Sequence, residues 1–176
     1  MNLRAVFILL TVLAVLSPAQ ARGGYIGLGI GQSEINHGQF DETGTGFKVF
    51  GGFQTHPYFA IEAAYMNFGE PSENRSGTEK EYEACAAAIW AKGFWPITRS
   101  IDLLGKAGWA YWEAESYTTP PGNPTVKQSW EGNDFAWGLG ASFNPGKKLS
   151  IQLEYEEVNN DLDKTALWSV SGLYRF

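Results

Sequence analysis

From Tyr25 to the last residue, apolar and polar or small positions alternate in short runs, the two-residue period of strands that have one face in apolar surroundings. Tyr25–Gly31 alternates apolar residues with glycine, and Gly46–Gln54 sets Phe47, Val49, Gly51 and Phe53 against Lys48, Phe50 and Gly52. Tyr58–Phe68 sets Phe59, Ile61, Ala63 and Tyr65 opposite Glu62. Tyr82–Trp95 carries Cys85, Ala87, Ile89 and Ala91 on one face and Trp90 and Lys92 on the other, although its alanine run also fits a helix. Ile101–Trp112, Phe135–Phe143, Leu149–Glu157 and Thr165–Phe176 repeat the pattern. The glycines of the first run recur every second residue with no amphipathic helix after them, so they do not make a phosphate-binding loop.

The pattern predicts eight strands, and the connections between them alternate in length. Gln54–Pro57, Pro96–Ser100 and Asn144–Lys148 are short and carry the Pro or Gly of tight turns. Ser33–Thr45, Gly69–Glu81, Glu113–Asp134 and Val158–Lys164 are longer, polar and read as loops. An even strand count with short turns at one end and long connections at the other is the expected layout of an eight-stranded antiparallel up-and-down transmembrane β-barrel. Lipid offers nothing to unpaired backbone groups, so strands can cross a membrane only as a closed barrel. Aromatic residues near the predicted strand ends, among them Tyr58, Phe94, Trp95, Tyr111, Trp112 and Tyr155, suit interfacial girdles.

The first residues read differently. Arg4 precedes the uncharged stretch Ala5–Leu16, Pro18 interrupts it, and Ala19-Gln20-Ala21 has the small-x-small form of a signal-peptidase site. The stretch is shorter than the roughly 18–20 residues of a membrane-spanning helix. Residues 1–21 are therefore expected to be a cleaved export signal and 22–176 the barrel domain of a bacterial outer-membrane protein.

Composition narrows the chemistry. The chain has eleven Phe, eight Tyr, seven Trp and 21 Gly, which suits strands, and Cys85 is the only cysteine, which excludes an internal disulfide and a cysteine-rich metal site. The net charge of −6 becomes −7 once Arg4 leaves, which argues against nucleic acid. No cofactor is implied. His37 falls in an outer connection and His56 in a short turn, so they are not expected to share a site as a hydrolase base would require. Glu156-Glu157 and Asp161 with Asp163 read as acids of a short polar loop without the spacing of a glycosidase or calcium site, and Asn74-Arg75-Ser76 as a chance sequon.

Several segments together resemble the eight-stranded membrane domain of the outer membrane protein A family. These are His56-Pro57-Tyr58-Phe59-Ala60-Ile61-Glu62, Ala91-Lys92-Gly93-Phe94-Trp95-Pro96-Ile97-Thr98, Leu153-Glu154-Tyr155 and the terminal Tyr174-Arg175-Phe176. The resemblance implies a barrel blocked by interior ion pairs, with Glu62, Lys92 and Lys106 at three of the family's positions and Glu154 beside a fourth. It also implies that Tyr174 and Phe176 form the strand signal read by the barrel-assembly machinery. The family's periplasmic peptidoglycan-binding domain is not expected here. Gln152 stands where the family has an arginine, Gly140 where it has a glutamate, and Lys48 is an added cation.

By strand parity, the interior holds Lys48, Lys92, Lys106 and Arg175 against Glu62, Asp102, Glu154 and Glu156. Eight strands enclose just enough room for their own side chains, and charge buried there must be paired. The expectation is a non-catalytic protein with a plugged lumen, lying among membrane lipids and lipopolysaccharide and supporting membrane integrity or making surface contacts and adhesion through acidic loops. A narrow channel for ions or small solutes is the alternative, and a lipid A-modifying enzyme a third.

Overall fold

The computed structural model describes residues 23–37, 40–69, 72–75, 78–119, 126–159 and 164–176; residues 1–21, expected to be an export signal, and Asp161 and Asp163 lie outside them. The strands are β1 (Gly24–His37), β2 (Phe40–His56), β3 (Phe59–Asn67), β4 (Ser72–Arg75), β5 (Thr78–Pro96), β6 (Ile101–Thr119), β7 (Val126–Phe143), β8 (Leu149–Asn159) and β9 (Lys164–Arg175). Every neighbouring pair is antiparallel, and β1 pairs with β9 while β3 pairs with β5, so the sheet closes. β4 pairs with the far end of β5 and continues the line of β3, so the barrel has eight staves. The alanine run of β5 is strand: Ala84, Ala86 and Ala88 face inward and are buried.

Side-chain direction follows the two-residue period of each strand. Outward positions carry Leu28, Ile30, Ile89, Leu139, Leu153 and Val170, each more than half exposed. A water-soluble monomer rarely shows apolar patches beyond a few hundred Å², whereas lipid is the natural solvent for a continuous belt of this kind. Among the described residues no helix is long and apolar enough to cross a membrane. Trp109 packs edge-on against Phe135, and Trp137, Tyr155 and Trp168 form an outward aromatic group with ring centroids 5.6 and 4.8 Å apart. Phe94 and Trp112, expected in the girdle, instead alternate with the outward residues of their strands; Phe94 is buried, and Trp112 packs against the core.

The inward face is stratified. At the short-turn end lie Tyr25, Phe94, Leu104 and Leu173; in the middle lie charged residues; at the other end lie Met66, Phe68, Val158, Leu167 and a group of alanines. Glycine makes the middle possible. A Cβ on Gly140 would lie 2.9 Å from Glu154 Cγ, and one on Gly29 would lie 2.2 Å from Ser171 Oγ.

Three of the four long connections are largely strand. β1 and β2 stay paired up to His37↔Phe40, β5 and β6 up to Glu79↔Thr119, and β6 and β7 up to Thr118↔Val126. The rim is uneven, because β7 joins β8 only from Ala136↔Val158 and β2 joins β3 only from Phe47↔Asn67. One ribbon, β4 to β7, thus rises beside a second one made from the ends of β1, β2, β8 and β9. Both were expected as loops. In water above a membrane, neither face of a ribbon needs to be apolar, so these segments lack the alternation that marks the strands below.

Candidate functional site in the barrel lumen

Six charged side chains meet in the middle of the lumen. β2 supplies Lys48, β3 Glu62, β5 Lys92, β6 Lys106, and β8 both Glu154 and Glu156; all six are at most 5% exposed. Lys48 Nζ lies 2.5 Å from Glu154 and 2.7 Å from Glu156. Lys92 Nζ lies 2.8 Å from Glu62 and 2.9 Å from Glu154. Lys106 Nζ reaches all three carboxylates, Glu156 at 2.6 Å and Glu62 and Glu154 each at 3.2 Å. Three cations thus face three anions, and each has at least two partners of opposite sign.

Neutral neighbours complete the coordination. Tyr25 donates its hydroxyl to Glu62 at 2.9 Å, and Lys92 donates to Gln152 Oε1 at 3.1 Å. The Phe50 ring lies 5.1 Å from Lys48 Nζ and 5.5 Å from Lys92 Nζ, and the Trp90 ring 4.8 Å from Lys106 Nζ. Each ammonium therefore has an aromatic face beside its carboxylates, a favourable arrangement for a desolvated cation. Gln152, in place of the arginine expected by resemblance, contributes an acceptor without charge, and Lys48 supplies the third cation.

Asp102 and Arg175 belong to a separate layer nearer the short turns. Asn144 Nδ2 donates to Asp102 at 2.8 Å, and Asn144 Oδ1 accepts from Arg175 Nη2 at 3.2 Å and from Ser150 Oγ at 2.5 Å. Arg175 Nη1 also donates to Ser150. The interior expected to hold four charges of each sign is therefore split, because parity fixes the face a side chain takes but not its height in the barrel. Tyr174 and Phe176 face outward at this same end, 43% and 57% exposed, and the Phe176 amide closes the seam by donating to Gly24 O at 3.0 Å.

Glu156 and Glu157 are not loop acids. They are consecutive residues of β8; Glu156 enters the lumen cluster, while Glu157 faces out and accepts the Tyr155 hydroxyl at 2.7 Å. His37 ends β1 and His56 ends β2, at opposite ends of an antiparallel pair. Asn74 and Arg75 of the sequon form part of β4, and Ser76 lies outside the described residues. No group of three or more His, Cys, Asp or Glu side chains suited to a metal ion occurs among the described residues. Sequence reasoning missed the contact of Trp112 Nε1 with Asp134, at 2.6 Å, which fixes the inner face of the tall ribbon.

Residues 5–176 match the family described as Outer membrane protein beta-barrel domain. The chain belongs to that family. This outer-membrane barrel is 30% identical over 151 residues to outer membrane protein A of Salmonella typhi, covering 80% of this chain and 43% of the relative. It is 27% identical over 125 residues to that of Shigella flexneri, covering 71% and 36%. The chain thus spans less than half the length of these curated relatives. In fold it is similar to Ail of Yersinia pestis, crystallised with the heparin analogue sucrose octasulfate, with a TM-score of 0.68 and 18% identity over 88% of this chain and 99% of Ail. Neisserial surface protein A gives a TM-score of 0.66 at 12% identity, covering 88% and 97%. The protein lies in the bacterial outer membrane, among lipids and lipopolysaccharide, with the short turns on the periplasmic side and the ribbons outside.

Proposed function

We propose that this is a non-catalytic outer-membrane barrel whose lumen is closed by the six-residue ion cluster and whose outer ribbons support membrane integrity or make surface contacts. The observation that carries the reading is the balance of the cluster: three lysines and three glutamates, all buried, joined by contacts of 2.5–3.2 Å. A conducting filter must bind its ion weakly enough to release it, whereas fixed cations already occupy these carboxylates. Separation of the two histidines to opposite ends supports the absence of hydrolase chemistry. In this reading residues 1–21 are removed on export, 22–176 form the barrel, and Tyr174 and Phe176 on the last strand guide assembly. Surface partners are cationic rather than sulfated, since the outer face of the tall ribbon carries Glu83, Glu113, Glu115 and Glu131.

A second reading, a narrow polar conduit, has one observation in its favour. Among the described residues, the buried Ser169 Oγ, Ser171 Oγ and Gln152 Nε2 find no hydrogen-bond partner, and all three line the β8–β9 wall. The test is heat modifiability on a gel together with planar-bilayer conductance on the same sample. A heat-dependent mobility shift with a silent bilayer is expected. Discrete openings abolished by substitution of Lys92 or Glu62 would favour the conduit instead.

A further inference from the structure

The short-turn end of the barrel is charged on one side only. From Gln54 to Tyr58, the turn between β2 and β3 carries no Lys, Arg, Asp or Glu. The turn between β5 and β6 presents Arg99, and the turn between β7 and β8 presents Lys147 and Lys148, all three exposed. These two turns are neighbours on the wall, since Ile101 pairs with Phe143 and the Asn144 amide donates to Ser100 O at 2.7 Å. The Arg175 amide donates to Lys148 O at 2.7 Å, so the basic stretch continues to β9. Arg175 itself is offset, because Asn144 links it to Asp102, the one acidic side chain at this end among the described residues. Nothing offsets the other three: among the described residues, no ion pair or side-chain hydrogen bond ties up Arg99, Lys147 or Lys148.

The backbone holds these charges at the rim. The Ile97 and Thr98 amides donate to Ile101 O at 2.9 and 3.1 Å, and Thr98 Oγ1 accepts from the Ser100 and Ile101 amides at 3.2 and 3.0 Å. Arg99 therefore sits in a closed turn whose backbone has little freedom left to lose on binding. The apolar belt runs directly into the same stretch. Trp95, Ile97, Leu149 and Phe176 are each more than half exposed, and Arg99 and Lys148 stand within two residues of Ile97 and Leu149. Long basic side chains lay their stems along apolar surface and carry the charge to the level of the headgroups. A free anion or an acidic protein would use the charges alone. The adjoining apolar wall suits a molecule with acyl chains beneath its anionic group.

We propose that the rim from β5 to β9 binds an anionic glycerophospholipid of the periplasmic leaflet, its phosphate among Arg99, Lys147 and Lys148 and its chains against Ile97, Leu149 and Phe176. Basic residues clustered at a membrane surface favour anionic over zwitterionic lipid, and the preference weakens as salt rises. The site lies at the opposite end from the ribbons and does not depend on whether the lumen conducts.

The experiment places the full barrel in phosphatidylcholine vesicles. Electron paramagnetic resonance then compares how much spin-labelled phosphatidylglycerol and how much spin-labelled phosphatidylcholine the protein immobilises. An association constant roughly threefold higher for phosphatidylglycerol is expected at low ionic strength, falling toward parity in about 1 M salt. Arg99→Gln, Lys147→Gln and Lys148→Gln together should abolish the preference, whereas Lys147→Arg with Lys148→Arg should keep it. Lys127→Gln, which removes a charge from the other end, should also leave it unchanged. Retained heat modifiability shows that each variant still forms the barrel. Equal association of the two lipids with the unaltered barrel, a preference that survives the triple substitution, or one lost equally in Lys127→Gln would each overturn the proposal. Capture of the barrel by isolated peptidoglycan through the same three residues, without any lipid preference, would overturn it as well. Conductance on the same preparations tests the closed lumen independently, so failure of one reading is not mistaken for failure of the other.

Discussion

Removing Lys92 tests whether the cluster works as a balanced unit. Lys92→Met takes one cation from between Glu62 and Glu154, at 2.8 and 2.9 Å, and leaves three carboxylates facing Lys48 and Lys106 in a site closed to water. Breaking a buried ion pair from one side costs about 3–5 kcal/mol, chiefly because the remaining charge stays desolvated. Glu62→Gln leaves an excess cation by the same argument and should cost a similar amount. The double variant restores two cations against two anions: Lys48 keeps Glu154 and Glu156, and Lys106 keeps both as well. Its cost should be no greater than that of either single change, giving a coupling of about 3 kcal/mol where independent sites add to within about 0.5 kcal/mol. The assay is urea-induced unfolding in lipid vesicles, followed by gel mobility and tryptophan emission. Single costs below about 1 kcal/mol would mean that water reaches the site and screens it. Full additivity in the double variant would refute the coupled plug.

Two further outcomes follow from local geometry. Gly31→Ala places a Cβ 1.7 Å from the Trp168 carbonyl oxygen and should lower stability by about 3 kcal/mol in the same urea assay, whereas Gly172→Ala meets nothing within 4 Å and should be neutral or slightly stabilising. On the ribbon, the Tyr117 hydroxyl and then Lys127 hold the Glu115 carboxyl below its usual range. This local tie is present above the ordinary carboxylate pKa and is lost as pH falls through the depressed one. NMR titration of Glu115 should show its pKa rising toward the ordinary value in Tyr117→Phe and in Lys127→Ala; an unchanged value in both would refute the tie.

The barrel was legible because lipid imposes a rule on every second residue. Leu28, Ile89, Leu153 and Val170 declare the outward face, and Lys48, Glu62, Lys92, Lys106 and Glu154 fall on the other by parity alone. What parity cannot supply is height, so Asp102 and Arg175 were grouped with charges from which the structure separates them. Glu156 reads both as an interior residue by parity and as a loop acid by its polar surroundings, and a loop reading of the pair hides the packing of Glu157 against Tyr155. The ribbons were missed for the opposite reason. The described parts of that connection, 113–119 and 126–134, rise beyond the apolar belt, so their strands are held by backbone pairing and by contacts such as Trp112 with Asp134, which leave no hydrophobic period.

The cluster also bears on fidelity of assembly. Its six charges come from five strands and from positions as far apart in the chain as Lys48 and Glu156, so they come into register only when the wall has closed along the β1–β9 seam. A seam displaced by one residue would turn the side chains of a strand to the wrong face and place charge in hydrocarbon. A slip of two keeps the face but moves charges along the wall by about 7 Å, far beyond a contact of 3 Å. The apolar belt cannot distinguish that second error, since one aliphatic residue serves lipid as well as the next. The ions can, and the lumen thereby acts as a proofreader of strand alignment.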